Sequence, residues 1–227
     1  MSKKLLNLVL ISLLLPLCSY GHEGDALNRN ENETKHFVIG DLEWSPSSDV
    51  YDDWNNFSVH TRVSDVPDQF EIDLTDFEVP IKSNQVTSPF GKRIARNHDG
   101  VDIQASLGDT IYSVFDGKVR YAQYNSGGYG FAVVIRHYNG LETYYAHLSQ
   151  IRVNVNEYVI AGQPIGMAGN TGRSSGVHLH FETRFCGIPI DPQKMISFKY
   201  GFPLTETYQF NKVNKYGGGN NKGKTAR

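Results

Sequence analysis

The sequence predicts an all-β domain in which short antiparallel strands form a sandwich or a barrel. Three observations predict this class. Runs of β-branched and aromatic residues recur between residues 84 and 198, turn dipeptides separate them, and no segment there keeps the 3.6-residue period of a helix. Strands of that length and spacing are typical of sandwiches and barrels. With 39% hydrophobic and 20% charged residues, the 227-residue chain has enough apolar material for a core, which argues against disorder along its whole length.

The predicted strands follow one another closely along the chain. A separate one lies near residues 69–75, and the dense group covers residues 110–115, 118–122, 131–136, 141–146, 153–160 and 164–168. Asp116-Gly117 predicts a turn between the first two strands of the dense group. Asn139-Gly140 predicts a type I′ hairpin turn between the next two.

The first residues have the layout of an export signal. Lys3 and Lys4 precede an almost wholly apolar run, and small or polar residues follow it. We expect a signal peptide over residues 1–21 and therefore an exported protein, located in the periplasm or associated with the cell envelope. A lipid anchor on Cys18 is the alternative at this end of the chain. No later segment has the length of apolar run that a transmembrane helix needs.

Charge divides the remaining chain into an acidic and a basic part. Residues 22–80 carry 15 acidic against 3 basic side chains, whereas residues 81–227 carry 9 against 17. We predict a flexible leader over residues 22–40, followed by an acidic segment that packs on the domain. The main domain is expected over residues 81–200, and a C-terminal extension over residues 201–227 ends in a disordered basic tail. The acidic segment is interpreted either as a solvated surface or as a cover over the basic half that restrains activity.

Cysteine content and charge bear on two further classes, disulfide scaffolds and nucleic-acid-binding proteins. With only Cys18 and Cys186, a disulfide scaffold is excluded, and Cys186 is expected to be a small buried apolar residue. The positive charge of residues 81–227 suits a polymer that carries carboxylates. We do not predict nucleic-acid binding, because the aromatic residues among the basic ones follow strand periodicity.

The spacing of three histidine-containing motifs carries the chemical signal. On a strand, His178 and His180 share a face with Glu182, while Leu179 and Phe181 point to the opposite side, towards a core. This alternation predicts that the imidazoles face a groove.

The other motifs add an oxygen ligand and a further imidazole. Asp102 follows His98 by four residues, with Gly100 between them to let the chain bend, and His147 stands in a third motif. Two imidazoles and one carboxylate suit Zn²⁺, with a fourth position left for water. Each motif alone is a weak signal, and the three together are much stronger. His137 is interpreted as an exposed residue beside the hairpin turn.

The motifs as a set resemble the peptidase domain of the lysostaphin-type (LytM-like, M23) zinc metallopeptidases. The resemblance covers residues 87–195, about half of the chain. The matching phrases are Ser88-Pro-Phe-Gly91, His98-Asp-Gly-Val-Asp-Ile103, Asp116-Gly-Lys-Val119, Gly128-Tyr-Gly130, Thr143-Tyr-Tyr-Ala-His-Leu-Ser149, Gly162-Gln-Pro-Ile-Gly166, Gly169-Asn-Thr-Gly172 and His178-Leu-His-Phe-Glu182. Departures are small: Asn156 stands where the family commonly has glycine, and Val177 stands where proline is common.

The resemblance implies a barrel-sandwich-like peptidase domain with a groove and one Zn²⁺ per chain. By it, His98, Asp102 and His180 would be the zinc ligands, and His147 and His178 the two catalytic histidines. Which of these two is the general base stays open. Strand parity makes Glu182 and Tyr145 candidates for the outer hydrogen-bond partner of a ligand imidazole.

The implied function is hydrolysis of peptide cross-links in peptidoglycan. We expect a D,D-endopeptidase acting on the bond between D-alanine and diaminopimelate, with cleavage of Gly-Gly bonds as the second choice. One alternative is a catalytically inactive relative that activates a separate wall hydrolase. Another is a carrier module modified at Lys118. The sequence contains no legible site for a regulatory protein.

Overall fold

The computed structural model describes residue 47 and residues 49–94 and 97–212. The predicted signal peptide, the leader and the end of the basic tail lie outside these residues. The described residues belong to one compact unit, Gly40–Arg227. None of the helices within them is long and apolar enough to cross a membrane.

Strands account for the regular structure of the described chain. The first eight are β1 (Gln69–Asp73), β2 (Val86–Ser88), β3 (Gly91–Lys92), β4 (Asn97–His98), β5 (Val101–Gln104), β6 (Thr110–Tyr112), β7 (Gly117–Asn125) and β8 (Gly130–His137). The remaining eight are β9 (Leu141–Ile151), β10 (Tyr158–Val159), β11 (Pro164–Ala168), β12 (His178–Phe185), β13 (Ile188–Ile190), β14 (Ile196–Ser197), β15 (Phe202–Pro203) and β16 (Thr207–Asn211). A short 3-10 helix spans Pro192–Lys194. The all-β, antiparallel fold class is confirmed.

The main sheet runs in the order β10-β7-β8-β9-β12-β5-β2, and β9 also pairs with β11, which carries β6. All these pairings are antiparallel. Strands β9 and β12 therefore lie side by side in the middle of the sheet. Residues on these two central strands are held by hydrogen bonds from both sides, which makes this a rigid place to build a site.

Both faces of the sheet are covered, which explains the nearly continuous apolar run in β8. Val133 and Ile135 pack into the main core, whereas Ala132 and Val134 pack on the opposite face against Val59. A strand buried on both faces has no polar alternation, so its sequence is apolar throughout. The second face is covered by residues 53–61, which we call the N-terminal strap.

The N-terminal strap is held by a buried ion cluster. Arg120 and Arg136 each donate through Nε to Oε1 of Glu142, at 2.6 and 2.9 Å, and all three side chains are at most 1% exposed. The other guanidinium nitrogens of Arg120 donate to the backbone carbonyls of Asn55, Ser58 and Val59 at 2.7–2.8 Å. Burying such charges is costly unless each is paired, so the strap is part of the folded domain.

The two ends of the described chain meet in a separate two-stranded sheet. Strand β1 confirms the strand expected near residues 69–75, and its partner is β16, with Phe70 opposite Phe210. Sequence reasoning placed residues 207–211 in a C-terminal extension and assigned them no strand. Ile72 and Phe210 enter the main core, so both ends contribute to it.

Two local predictions were wrong, whereas the turn predicted at Asp116-Gly117 is confirmed by a bend that ends at Asp116. Asn139-Gly140 does not form a type I′ turn, because only Gly140 has a positive φ, of 90°, and its amide bonds to His137 O at 3.3 Å. This is a type I turn followed by a left-handed glycine. Residues 153–157 are not a strand either, because Asn156 turns the chain with a φ of 70°.

Candidate active site

Strand β12 presents its polar residues on one face, as predicted. Leu179 and Phe181 are completely buried in the main core. His178, His180 and Glu182 alternate with them and all three line a cleft on the other side of the sheet. The period of two residues in a strand is sufficient to produce this separation.

Neighbouring strands bring His98 and Asp102 to His180. Asp102 on β5 is directly opposite His180 on β12 in the antiparallel register. His98 on β4 reaches the same point because the connection from β4 to β5 passes close over β12 at Gly100. A Cβ on Gly100 would collide with the carbonyl oxygen of Phe181. Glycine is therefore needed there for close approach, and not for the bend that we had expected.

The three donor atoms of these residues form a small triangle. His98 Nε2 lies 3.0 Å from Asp102 Oδ1 and 3.1 Å from His180 Nδ1, and the last two atoms are 2.9 Å apart. Ligands of a tetrahedral Zn²⁺ at 2.0–2.1 Å would be separated by ~3.3 Å. The triangle is therefore close to the size that one bound metal ion requires.

Outer hydrogen bonds orient both imidazoles towards the centre of the triangle. His98 Nδ1 lies 2.7 Å from the Pro89 carbonyl oxygen, and His180 Nε2 lies 2.8 Å from Oε1 of Glu182. Each outer contact requires an N–H, so His98 Nε2 and His180 Nδ1 are left as the inward-facing atoms. Together with the Asp102 carboxylate they form a site that needs positive charge, so the chemistry of the donor set fits a divalent cation.

The pKa values of the site also indicate that it binds a positive charge. Burial would lower the pKa of His180, but its hydrogen bonds to Asp102 and Glu182 outweigh burial and raise the pKa to about 9. Burial would raise the pKa of Asp102, but hydrogen bonds from His180, His98 and Arg93 hold that pKa well below its usual range. A metal ion would compete with a proton for this position, as it does in other histidine sites.

Glu182 is the centre of a second layer around the triangle. Its carboxylate accepts from Arg184 Nε at 2.6 Å and from the Tyr129 hydroxyl at 2.9 Å, in addition to His180. Burial would raise the pKa of Glu182, but His180 and Arg184 lower it to about 2. Glu182 therefore remains ionised inside the protein. The predicted contact between Glu182 and the His180 imidazole is confirmed, and the role of His180 as a metal ligand stays a prediction.

The other two histidines are held by one loop. His147 Nδ1 lies 2.8 Å from the carbonyl oxygen of Thr171. His178 Nδ1 lies 2.9 Å from the carbonyl oxygen of Gly176 and 3.1 Å from the Ser174 hydroxyl. A carbonyl can only accept, so both rings carry the proton on Nδ1 and leave Nε2 for the cleft. The ring centroids of His147 and His178 are 4.8 Å apart.

A kink in β9 turns His147 towards the cleft. Tyr145 and Leu148 both lie in the main core, three residues apart, whereas a regular strand repeats every two. His147 has a φ of 61°, and the register with β8 shifts at this point. A positive φ is rare for a residue with a side chain and is common where strain serves a function. Burial lowers the pKa of His147 to about 4, although the bond to Thr171 opposes this.

The cleft around these five residues has a volume of about 620 Å³. Its walls carry two arginines, Arg93 and Arg173, and a histidine from the N-terminal strap, His60. The ring of His60 stacks on Tyr144 and meets Tyr129 edge to face. Sequence reasoning overlooked His60, Tyr129 and Arg173, because no spacing rule connects them with the histidine motifs.

Tyr145 does not contact the candidate ligands, and His137 does not lie at the surface, contrary to what the sequence predicted. The Tyr145 hydroxyl bonds to the Val114 amide and the Thr143 hydroxyl in the core, so it is not a partner of the candidate ligands. His137 is completely buried and not exposed. Its Nε2 lies 2.7 Å from the Thr143 hydroxyl, and its Nδ1 lies 3.1 Å from the Asp116 carbonyl oxygen.

Comparison with known proteins gives a consistent family assignment. Residues 96–192 match Peptidase family M23. The chain is 43% identical over 122 residues to "DD-carboxypeptidase/endopeptidase Mpg" of Neisseria meningitidis serogroup B, a match that covers 50% of this chain and 27% of that protein. It is 40% identical over 123 residues to "Peptidoglycan DD-endopeptidase ShyA" of Vibrio cholerae, covering 54% of this chain and 28% of that protein.

One solved structure, of a catalytic domain, is matched over most of its length. The catalytic domain of the prophage-encoded M23 protein EnpA from Enterococcus faecalis, solved as a point mutant, is 34% identical, with 48% of this chain and 88% of that chain covered and a TM-score of 0.45. By the family match, the domain that contains residues 96–192 is a Peptidase family M23 domain. The chain spans little more than a quarter of the length of the Neisseria and Vibrio proteins.

Proposed function

We propose that this chain is an exported, zinc-dependent peptidoglycan endopeptidase that hydrolyses the D-alanyl–diaminopimelate bond of cross-linked stem peptides. The observation that carries this proposal is the triangle of His98, Asp102 and His180, with His147 and His178 beside it in one cleft. The names of the Neisseria and Vibrio relatives support the same substrate class. Export rests on the sequence of residues 1–21, and a lipid on Cys18 remains the alternative there.

One Zn²⁺ would be held by His98 Nε2, Asp102 Oδ1 and His180 Nδ1. When bound, such an ion acidifies a water molecule to a pKa of ~7 and polarises a carbonyl group. The role of the protein is to keep the three donors in one tautomeric state and orientation. Pro89 and Glu182 do this through their hydrogen bonds to the two imidazoles.

We assign the general base to His147. Its Nδ1 proton is committed to the Thr171 carbonyl, so the Nε2 lone pair faces the cleft and can accept a proton. His178 lies beside the donor triangle, with its Nε2 3.5 Å from Asp102 Oδ1. We assign His178 to the stabilisation of the oxygen anion formed at the attacked carbonyl. The proton taken up by His147 can then pass to the leaving amine.

The proposal is tested with the purified protein on isolated cell-wall sacculi. The wild type, with and without a chelator and after addition of Zn²⁺, is compared with His147→Ala and His180→Ala. Released fragments are identified by mass spectrometry. We expect a zinc-dependent loss of cross-linked dimers with new D-alanine carboxyl ends, and no loss with either variant.

Two other outcomes would overturn the proposal. New Gly-Gly ends would place the cleavage at a different bond. Intact dimers with a folded, zinc-loaded wild type, together with unchanged biological function of His180→Ala in cells, would favour a non-catalytic activator. The complete set of donors and histidines favours the enzyme, since an activator needs none of them.

A further inference from the structure

Arg173 stands out among the charged residues of the cleft wall. Its side chain is exposed to solvent and lines the cleft beside the candidate catalytic histidines. Among the residues that the structure describes, no carboxylate forms an ion pair with its guanidinium. An arginine that faces a cleft without a partner is able to bind an anionic group of a ligand.

Two other charged residues described in the cleft, Arg93 and Asp99, already have partners. Arg93 Nη2 donates to Asp102 Oδ2 at 2.9 Å, so that guanidinium is engaged with a candidate metal ligand. Asp99 is paired with Arg184 at 3.3 Å. Of the two arginines described in the cleft wall, Arg173 is therefore the one whose charge is available to a substrate.

The position of Arg173 is fixed by backbone contacts. Its amide donates to the Gly128 carbonyl oxygen at 2.7 Å. The guanidinium stem runs along Gly128, where an added Cβ would lie 3.7 Å from Arg173 Cβ and 3.8 Å from its Cζ. Gly130 and Gly172 touch each other so closely that a Cβ on either one would collide with the backbone of the other. Two glycine-rich loops are thus locked together, and Arg173 projects from the junction.

The same loop positions both catalytic histidines. The Thr171 carbonyl, two residues before Arg173, holds His147, and the Ser174 hydroxyl, one residue after it, contacts His178. A substrate bond placed between the two histidines would therefore lie next to Arg173.

We propose that Arg173 binds a free carboxylate on the leaving-group side of the scissile bond, an inference that rests on the proposed function. In the D-alanyl–diaminopimelate cross-link, the carbon next to the leaving nitrogen carries a free carboxylate, whose carbon lies ~2.5 Å from that nitrogen. An internal Gly-Gly bond presents a neutral amide at the same place. The D-alanine on the acyl side carries only a methyl group, so it offers Arg173 no charge.

At this subsite, specificity depends on whether the leaving group of the substrate carries a free carboxylate. A terminal D-alanyl-D-alanine bond carries the same carboxylate on its leaving group, so the subsite would accept both carboxypeptidase and endopeptidase substrates. Because the carboxylate is present in the substrate as well as in the transition state, its recognition should appear chiefly in KM.

The test uses two cross-linked muropeptide dimers that differ in one group. In one dimer the carboxylate beside the leaving nitrogen is free, and in the other it is a carboxamide. Initial rates with zinc-loaded wild type, Arg173→Gln and Arg173→Lys give kcat and KM for each dimer. Arg152→Gln is the matched control, because it removes the same charge from an exposed arginine outside the cleft.

We expect the wild type to prefer the free carboxylate by about 10- to 100-fold in kcat/KM, the range of a charge-assisted hydrogen bond. Arg173→Gln should lose this preference, because its kcat/KM on the free carboxylate falls to about its value on the carboxamide, and Arg173→Lys should recover part of it. Arg152→Gln should behave as the wild type. An unchanged preference in Arg173→Gln overturns the assignment of Arg173. Failure of the wild type to cleave either dimer instead refutes the proposed function and the subsite together.

Discussion

The Nε2 atom of His180 lies 2.8 Å from Oε1 of Glu182, a carboxylate that is 1% exposed. Arg184 and Tyr129 hold the same carboxylate from two other directions, at 2.6 and 2.9 Å. The orientation of the His180 ring is therefore determined by a rigid buried cluster. This leaves Nδ1 of His180 directed at Asp102, which is the arrangement that a metal ligand needs.

Replacing Glu182 with glutamine should weaken zinc binding by about 10- to 100-fold. Glutamine is nearly the same size, but it removes the negative charge that polarises His180 and leaves Arg184 less compensated. Competition with a chromogenic chelator measures the affinity. Glu206→Gln, at an exposed glutamate, is the control. Equal zinc affinity in the two variants would show that Glu182 only fills space.

Replacement of His147 and of His180 should have separable effects. His147→Ala should retain one zinc per chain and lose about 10²- to 10⁴-fold in kcat, the usual contribution of a general base. His180→Ala should lose the metal as well as the activity, since it removes one corner of the donor triangle. Metal content by atomic spectroscopy and rates on cross-linked muropeptides distinguish the two. Zinc loss in His147→Ala would mean that this residue is a ligand.

Removing the chain before Lys82 should destroy the fold and not merely expose the cleft. The deletion removes β1, the partner of β16, and takes Ile72 and Leu74 out of the core. It also removes the carbonyl oxygens that accept from the buried Arg120. Loss of a buried leucine or isoleucine side chain costs about 2–5 kcal/mol, within a total stability of about 5–15 kcal/mol.

Thermal unfolding followed by circular dichroism measures the effect of this deletion. A chain that begins at Ser47 serves as the control, because it keeps the N-terminal strap and β1. Cooperative unfolding of the shorter chain at the control's Tm would contradict the structural role of the segment. If the shorter chain does fold, its wall-cleavage rate can be compared with that of the control. That comparison would then test whether the acidic segment restrains activity.

The buried His137 should make stability depend on pH. Burial lowers the pKa of His137 from 6.5 to about 4. Between these values the unfolded chain binds a proton that the folded chain does not, so lowering the pH favours unfolding. This residue should remove about 3 kcal/mol from the free energy of unfolding as the pH falls from 7 to 4.

Urea unfolding at several pH values isolates this contribution when the wild type is compared with His137→Asn. Asparagine keeps an N–H that can donate to the Asp116 carbonyl, but it does not titrate. The variant should be less stable at pH 7 and should show a shallower decline towards pH 4. Parallel curves for the two proteins would assign the acid sensitivity to the carboxylates.

Much of the fold and of the candidate site was predictable because both depend on short periods along the chain. The alternation in β12 places His178 and His180 on the face opposite Leu179 and Phe181, and a strand has no other way to arrange them. The antiparallel all-β class followed from the spacing of apolar runs. The type of turn at Asn139-Gly140 was predicted wrongly, because the sign of φ at Asn139 is decided by long-range packing.

The sequence alone determined the fold class and proposed the five residues of the candidate site, because strand parity and motif spacing are local properties of the chain. Tertiary structure alone brought His98 and Asp102 to His180 in one triangle, and kinked β9 so that His147 points into the cleft. It also buried His137 and left Arg173 on the cleft wall without an ion-pair partner among the described residues. These features depend on contacts between residues far apart in the chain, whose distances and electrostatic partners exist only after the strands have paired.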